Sequence, residues 1–263
     1  MGTTRTDIED ACDWQGKPLD CAVCERRALR EEGHCRLGHA CAHDRYARRI
    51  DRFFRWNPQL AKDYLEHPYF ETRAVAAKHV ELFFLPRLLG DADETVRQSV
   101  AQRLPVNSKH FKSLLRDPHR EVRIRVAERL EARELIGLID DPDYFVRQIV
   151  ARRLPQGMLV KMMHDIDPEV RKVVAQRVSG EWLPAMANDR ETNVRLAAVR
   201  RMDPGQLKQL IKDPDWQVRY EVASRLDVAE LEPMRADPDP AVHELVAQRF
   251  AGQCKENGLP KAS

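Results

Sequence analysis

From Thr72 to Phe250 one pattern recurs along the chain: TRAVAAKHV at Thr72, VRQSVAQRL at Val96, VRIRVAERL at Val122, VRQIVARRL at Val146, VRKVVAQRV at Val170, VRLAAVRRM at Val194, VRYEVASRL at Val218 and VHELVAQRF at Val242. From Val122 to Val242 each copy starts 24 residues after the last, and only the step from Val96 to Val122 is longer, by two residues. Self-similarity at a fixed period of this size restricts the fold to a solenoid, because one such unit cannot bury its apolar face alone and must stack on its neighbours.

Within a copy, counting the first residue as zero, apolar side chains fall at positions 0, 4, 5 and 8. At about 100° per residue these lie on one face, so each copy predicts an amphipathic α-helix. Aspartate stands five positions upstream in seven copies (Asp91, Asp117, Asp141, Asp165, Asp189, Asp213 and Asp237), and proline follows it in four. An aspartate that accepts orphan amides, followed by proline in the first turn, is a favoured helix start, which predicts these residues as N-caps. A second apolar pair falls at positions 13 and 16: Leu135/Leu138, Leu159/Met162, Leu183/Met186, Leu207/Leu210 and Leu231/Met234. The residues left over in a 24-residue period are too few for another ordinary α-helix with two connections, and side chains three apart eclipse in a 3₁₀ helix. Each repeat is therefore expected to be one α-helix plus one 3₁₀ helix, an all-α fold.

Two arginine series share the period. Arg73, Arg97, Arg123, Arg147, Arg171, Arg195 and Arg219 stand at position 1, and Arg103, Arg129, Arg153, Arg177, Arg201, Arg225 and Arg249 at position 7. A basic track along a phosphate backbone is one reading. Position 1, however, falls inside the apolar arc, where a charge needs a partner, and the aspartates recur with the same period. An Arg to Asp or Arg to carbonyl ladder between repeats is the favoured expectation. Position 7 lies at the rim of the face, where packing of the long side chain again favours a structural role. The varied positions 2, 3 and 6 face outward and would carry any partner specificity.

The bulk charge, 44 basic against 42 acidic residues, supplies no global field for capturing nucleic acid or an anionic membrane. No apolar run approaches the ~18 residues of a membrane helix and no secretory signal opens the chain, so a cytoplasmic protein is expected. In reducing cytosol, crowded thiols more often bind metal than form disulfides. Four of the six cysteines fall within "DCAVCERRALREEGHCRLGHAC": Cys21, Cys24, Cys35 and Cys41, with Cys12 nearby and Cys254 near the other end. The two-residue gap between Cys21 and Cys24 lets two sulfurs reach one centre, which tetrahedral zinc and an iron–sulfur cube both accept, and zinc is the commoner use. His34, His39 and His43 are candidates to shape the loop or to donate hydrogen bonds to sulfur.

The repeats together with "DCAVC…GHCRLGHACAHDRYARRIDRFFRWNP" resemble the leucine-rich repeat variant family, whose 24-residue units alternate α and 3₁₀ helices in a right-handed superhelix and some of whose members carry an N-terminal [4Fe-4S] domain. The resemblance implies an iron–sulfur domain over 1–57, a solenoid over 58–252 and a polar tail over 253–263, with Cys254 a free thiol. It carries the family's ligands over to Cys21, Cys24, Cys35 and Cys41, one cluster per chain, with zinc the alternative metal. Arginines among Arg45, Arg48, Arg49, Arg52 and Arg55 either neutralise the cluster or form a solvated face, and Tyr46, Ile50, Phe53 and Phe54 read first as an ordinary core stripe, with docking of the lobe on the first repeat as a cap the hypothesis set beside it. Ala251-Gly252 is expected to stop the last helix.

No phosphate loop, nucleophile elbow or paired catalytic carboxylates are evident. The expected function is non-enzymatic: a scaffold for a protein partner, with a structural or redox-sensing or oxygen-sensing cluster. Electron transfer and nucleic-acid binding are the alternatives, with no membrane and no small-molecule substrate in view.

Overall fold

The stripe at positions 0, 4, 5 and 8 is the core: Val146, Val150, Ala151 and Leu154 are fully buried, and so are Val218, Val222, Ala223 and Leu226. The computed structural model describes the backbone of residues 11–256 and the side chains of residues 11–252, within two compact units that divide between Leu130 and Glu131. Cys254 lies outside the described side chains.

The first unit holds α1 (Arg27–Glu31), α2 (Ala47–Trp56), α3 (Phe70–His79), α4 (Glu94–Arg103), α5 (Lys109–Ser113) and α6 (Arg120–Arg129). The second holds α7 (Tyr144–Arg153), α8 (Pro168–Ala175), α9 (Leu183–Met186), α10 (Thr192–Val199), α11 (Trp216–Arg225) and α12 (Pro240–Glu256). Between the long helices lie 3₁₀ segments, among them Leu82–Leu88, Gln156–Met162 and Pro204–Leu210. Among the described residues there is no strand, only two isolated bridges. Within the first unit α2, α3, α4 and α6 pack in chain order, and within the second α7, α8, α10, α11 and α12 do the same.

The apolar pair at positions 13 and 16 is buried in every predicted copy, from Leu135/Leu138 to Leu231/Met234. Two further copies share it: Leu85/Leu88, and Phe111/Leu114 in the longer repeat. There the two extra residues give room for α5, capped by Ser108, before a short 3₁₀ turn at Leu114–Arg116. Leu183/Met186 likewise sit on a short α-helical turn rather than a 3₁₀ one.

Helix starts lie two residues later than the aspartate and proline pattern suggests. The N-caps are Asp93, Asp143, Asp167 and Asp215, each accepting a backbone N–H two residues on, at 2.8 to 2.9 Å. The upstream aspartates do other work. One oxygen of each accepts the amide of the residue two ahead, as in Asp91 from Asp93 N at 2.9 Å, and in Asp91, Asp117, Asp165, Asp189, Asp213 and Asp237 both oxygens face the position-1 arginine of the preceding repeat. Arg171 Nε and Nη2 donate to Asp189 at 2.7 and 2.9 Å, Arg195 to Asp213 at 2.8 and 2.9 Å, and Arg219 to Asp237 at 2.7 and 3.0 Å. Nη1 of the same arginine donates to a carbonyl before its own helix, Arg171 to Asp165 O at 2.8 Å. Each guanidinium thus ties its own helix start to the next repeat in the fork geometry that arginine suits. The pairing raises these arginine pKa values, led by the hydrogen bond to aspartate. Burial works to raise Asp91, Asp189 and Asp237, but their arginine and amide partners outweigh it and hold them below the ordinary carboxylate value.

The position-7 arginines close the other end of the helix. Arg103 donates to Ala77 O at 2.8 Å and Val80 O at 2.5 Å. Arg201 donates to Ala175 O at 2.8 Å, and Arg225 to the carbonyls of Val199 and Met202. These acceptors are the orphan carbonyls at the C-terminus of the previous repeat's helix, where a cation is favoured. Burial without a carboxylate partner lowers Arg103, Arg129 and Arg177.

At the chain's far end α12 runs through Gly252 to Glu256 instead of stopping at Ala251-Gly252. On α12 Ala247 is exposed, and Phe250 is covered by the Arg235 guanidinium at 3.6 Å from the ring centre.

Candidate metal centre

The cysteine lobe is built from turns. Asp20 Oδ1 accepts the amide of Ala22 at 2.8 Å and shapes the turn at Cys21. The chain then enters α1, with Arg27 N donating to Cys24 O at 3.1 Å. Gly33, at φ 77°, ends α1 and leads to Cys35. Gly38, at φ 68°, makes the turn bracketed by the Arg36–Ala40 bridge, which returns the chain to Cys41. Left-handed backbone at both points is the conformation that glycine adopts without a Cβ clash.

These turns gather four thiols. Burial pushes the Cys35 thiol up, and the charges of Cys21 and Cys24 add to it while Arg30 opposes them. Burial pushes Cys41 to about 12, with Asp44, Cys24 and Cys35 contributing and the His43 backbone N–H pulling the other way. Cys35 and Cys41, held up by burial and by neighbouring thiols, would be stabilised as thiolates by a cation beside them. Among the described residues no three His, Cys, Asp or Glu side chains close around a single metal-ion position. All five described cysteines are unbridged and partly exposed. Cys12 sits in the Cys12–Pro18 bridge, its carbonyl accepting from Arg45 N at 3.1 Å; its charge does not figure at Cys35 or Cys41.

Donors already point at the sulfurs. Arg26 N–H lies 3.4 Å from Cys24 Sγ, and His43 N–H donates to Cys41. Thiolates accepting backbone N–H groups are what an anionic iron–sulfur centre requires in a partly dry site. Tyr64, 3% exposed, packs against Phe53, Phe54 and His43 with the Arg26 guanidinium 5.6 Å from its ring centre. Four cysteines in one small lobe, with backbone amides directed at the sulfurs of Cys24 and Cys41, are a donor set that fits an iron–sulfur group.

The arginines of α2 have other tasks. Arg49 pairs with the fully buried Asp44 at 2.9 Å, Arg52 donates to His39 O at 2.8 Å, and Arg55 pairs with Asp51 at 2.8 Å. Arg45 and Arg49 flank the Tyr46 ring, each 5.0 Å from its centre. Arg48 is exposed. The cation acting on Cys35 is Arg30, on α1, which the sequence pattern did not single out. Of the histidines, His39 Nδ1 lies 2.9 Å from Arg52 Nη1, the His34 carbonyl accepts from Asn57 Nδ2 at 2.8 Å, and His43 packs its ring at 5.9 Å from Tyr64.

The lobe sits against the first repeat. Ile50, Phe53 and Phe54 of α2 are buried, Phe54 at 5.3 Å from Tyr64 and 6.1 Å from His79 of α3. Thr72, the polar residue at a core position of the degenerate copy, is fully buried because its hydroxyl donates to Ala42 O in the lobe at 3.3 Å. The Tyr69 hydroxyl donates to Arg45 O at 3.0 Å, and His79 Nε2 meets Asp51 at 2.8 Å. His67 stands where the other copies have aspartate. With no preceding arginine to pair, its Nδ1 accepts Tyr69 N–H at 3.1 Å instead, and burial lowers its pKa.

A thiol-rich lobe seated on α/3₁₀ repeats defines a helical repeat protein with an N-terminal metal domain. Residues 11–63 match the family described as LRV protein FeS4 cluster, and residues 144–167 match the leucine rich repeat variant. A solved structure described as a leucine-rich repeat variant with a novel repetitive protein structural motif is 41% identical, with a TM-score of 0.82, covering 88% of this chain and 98% of its own. An uncharacterized 27.7 kDa protein in the nifB 3' region of Rhodobacter capsulatus is 54% identical over 93 residues, 35% of this chain and 38% of that protein. The chain belongs to the leucine-rich repeat variant family and has its all-α solenoid fold. No helix among the described residues is long and apolar enough to cross a membrane.

Proposed function

We propose that this chain is a non-enzymatic, cytoplasmic scaffold for a protein partner, whose N-terminal lobe carries one [4Fe-4S] cluster on Cys21, Cys24, Cys35 and Cys41. Two observations support the reading: residues 11–63 match a family described by its FeS4 cluster, and the Arg26 backbone N–H lies 3.4 Å from Cys24 Sγ, the kind of donor an anionic centre needs. When bound, the cluster supplies a redox-active, oxygen-sensitive centre. The chain's own residues hold it: Arg26 and His43 amides face sulfur, Arg30 offsets charge, and Asn57 ties the loop at His34 to the end of α2.

The sensing role rests on the docking contacts. The Thr72 to Ala42 and Tyr69 to Arg45 bonds join the lobe to α3 and its N-cap, so a lobe that loses its metal would loosen the first repeat's cover. The grooves between repeats support binding rather than catalysis; one of about 330 Å³ is lined by Asp141, Arg147 and Asp165, already committed to the ladder. The same commitment of both arginine series weighs against the nucleic-acid reading. Electron transfer is the second reading, favoured by the partial exposure of the cysteines and by Val23, 83% exposed between Cys21 and Cys24.

Anaerobic purification with iron, sulfide and zinc analysis, followed by hydrogen exchange before and after air oxidation, tests the proposal. Four irons per chain, and faster exchange in α2 and α3 after oxidation, are expected. Stoichiometric zinc without iron would overturn the cluster assignment; unchanged exchange would overturn the sensing role and leave electron transfer.

A further inference from the structure

Along the ladder of the second unit three grooves lie in a row, each between successive repeats. They measure about 330, 460 and 330 Å³; the first and second share His164, Asp165 and Ile166 as a wall, and the second and third share Asp189. Their floors are already committed. Asp165, Asp189 and Asp213 are held by Arg147, Arg171 and Arg195 at 2.7 to 2.8 Å, and the buried Asp141 accepts the Asp143 amide at 2.9 Å.

The rims differ. Lys161 stands on the first groove, Arg190 on the second and Lys212 on the third, all three exposed. Neither lysine has an ion pair among the described residues. Arg190 uses one N–H on the Ile166 carbonyl at 3.3 Å, and Arg171 donates to the same oxygen at 3.2 Å. The Ile166 side chain, thus fixed at its backbone, is 80% exposed on the wall between the first two grooves. Asp140, on the first groove, is the one exposed carboxylate of the lining. The rim therefore offers one cation per groove, with an apolar side chain between the first two.

The spacing selects what can meet it. Packed helices lie about 8–10 Å apart, which sets the interval from one groove to the next. A polyproline II chain has about three residues per turn and rises about 3.1 Å for each, so every third side chain returns to the same face about 9 Å further on. A β-strand repeats its face every second residue, about 6.8 Å, and falls out of step. Duplex DNA carries one charge per about 1.7 Å of axis, far denser than this rim, and would bring phosphate against Asp140.

We propose that this edge of the second unit docks an extended acidic peptide of a partner protein, in polyproline II conformation with a carboxylate at every third residue, one each to Lys161, Arg190 and Lys212. This rests on the scaffold reading above and gives the partner its chemistry. A chain that is already extended loses little entropy on docking. The rim pairs are solvent-exposed and individually weak, so the affinity falls as salt rises.

The test uses the full chain and a fluorescein-labelled peptide of repeated Glu-Pro-Pro units, followed by fluorescence anisotropy at low salt. Lys161→Glu/Lys212→Glu should weaken its binding at least about tenfold. Lys62→Glu, at an exposed lysine of the first unit, should leave binding close to that of the wild type. A Gln-Pro-Pro peptide, and one of equal length and charge with its glutamates bunched at one end, should each bind at least about tenfold more weakly than Glu-Pro-Pro. If the double reversal does not fold by circular dichroism, the three peptides decide on the wild type alone. Glu-Pro-Pro that binds no better than the other two, or equally well to the wild type and a folded double reversal, would overturn the inference and leave the scaffold reading standing. Failure of every peptide, with duplex DNA binding that Lys161→Glu/Lys212→Glu abolishes, would overturn both.

Discussion

Replacing Arg171 by methionine isolates one rung of the repeat ladder. The side chains of Arg171 and Asp189 are 5% and 10% exposed, joined by two bonds of 2.7 and 2.9 Å, and Arg171 also donates to Asp165 O at 2.8 Å. Removing one member of a buried pair strands the other charge, at a cost of about 3–5 kcal/mol. Asp189 keeps the Glu191 amide at 2.9 Å, and an open groove lined by both partners lets water reach them. These place the expected loss near the low end, about 3 kcal/mol. Arg171→Met/Asp189→Leu strands no charge, leaving only neutral groups unpaired, the Glu191 amide and the Asp165 and Ile166 carbonyls, and should cost about 2 kcal/mol, less than the single variant. The assay is urea unfolding followed by the fluorescence of Trp182 and Trp216. Because Asp189 is held below its ordinary 3.8, the rung's contribution is complete above that value and is lost as pH falls through the lower folded value. Wild type and Arg171→Met should therefore converge in acid. A single variant costing under about 1 kcal/mol, or a double variant as unstable as the single, would refute the claim that a buried ion pair joins these repeats.

Three further outcomes follow from the packing. Leu159→Ala, at a fully buried position of the 3₁₀ face, should cost about 2–5 kcal/mol in urea unfolding, and Leu159→Met much less. Arg225→Ala frees the Val199 and Met202 carbonyls; a loss of about 1–3 kcal/mol is expected, and Arg225→Lys should recover only part of it, since an ammonium lacks the planar fork. Cys35→Ala should abolish iron binding and lower the melting temperature, whereas Cys12→Ala, outside the coupled set, should keep the iron content of the wild type.

The repeat period, the apolar stripe and the pairing of arginine with aspartate were all legible in the chain, because each follows from local periodicity and from the cost of burying a lone charge. The iron–sulfur family of the N-terminal lobe was legible as cysteine spacing together with the repeats. The position of the helix starts was not: aspartate and proline suit a cap in isolation, but at Asp91 and Asp189 the carboxylate is claimed by an arginine eighteen residues away, and the cap passes to the residue two places on, Asp93 or Glu191. The partners of the arginines on α2 were not legible for a similar reason. Arg49 and Arg52 lie near the cysteines in sequence, but a buried Asp44 and the His39 carbonyl take them.

Pattern alone determined that this chain would be stacked helical units with a metal-binding lobe, since spacing every 24 residues and four crowded sulfurs admit few other outcomes. Tertiary structure decided which partner each polar group received. Thr72 at a core position and His67 in place of an aspartate make sense only against the lobe that covers them. Polar groups buried at a junction are satisfied by whatever the fold brings within about 3 Å, which no periodicity along the chain encodes.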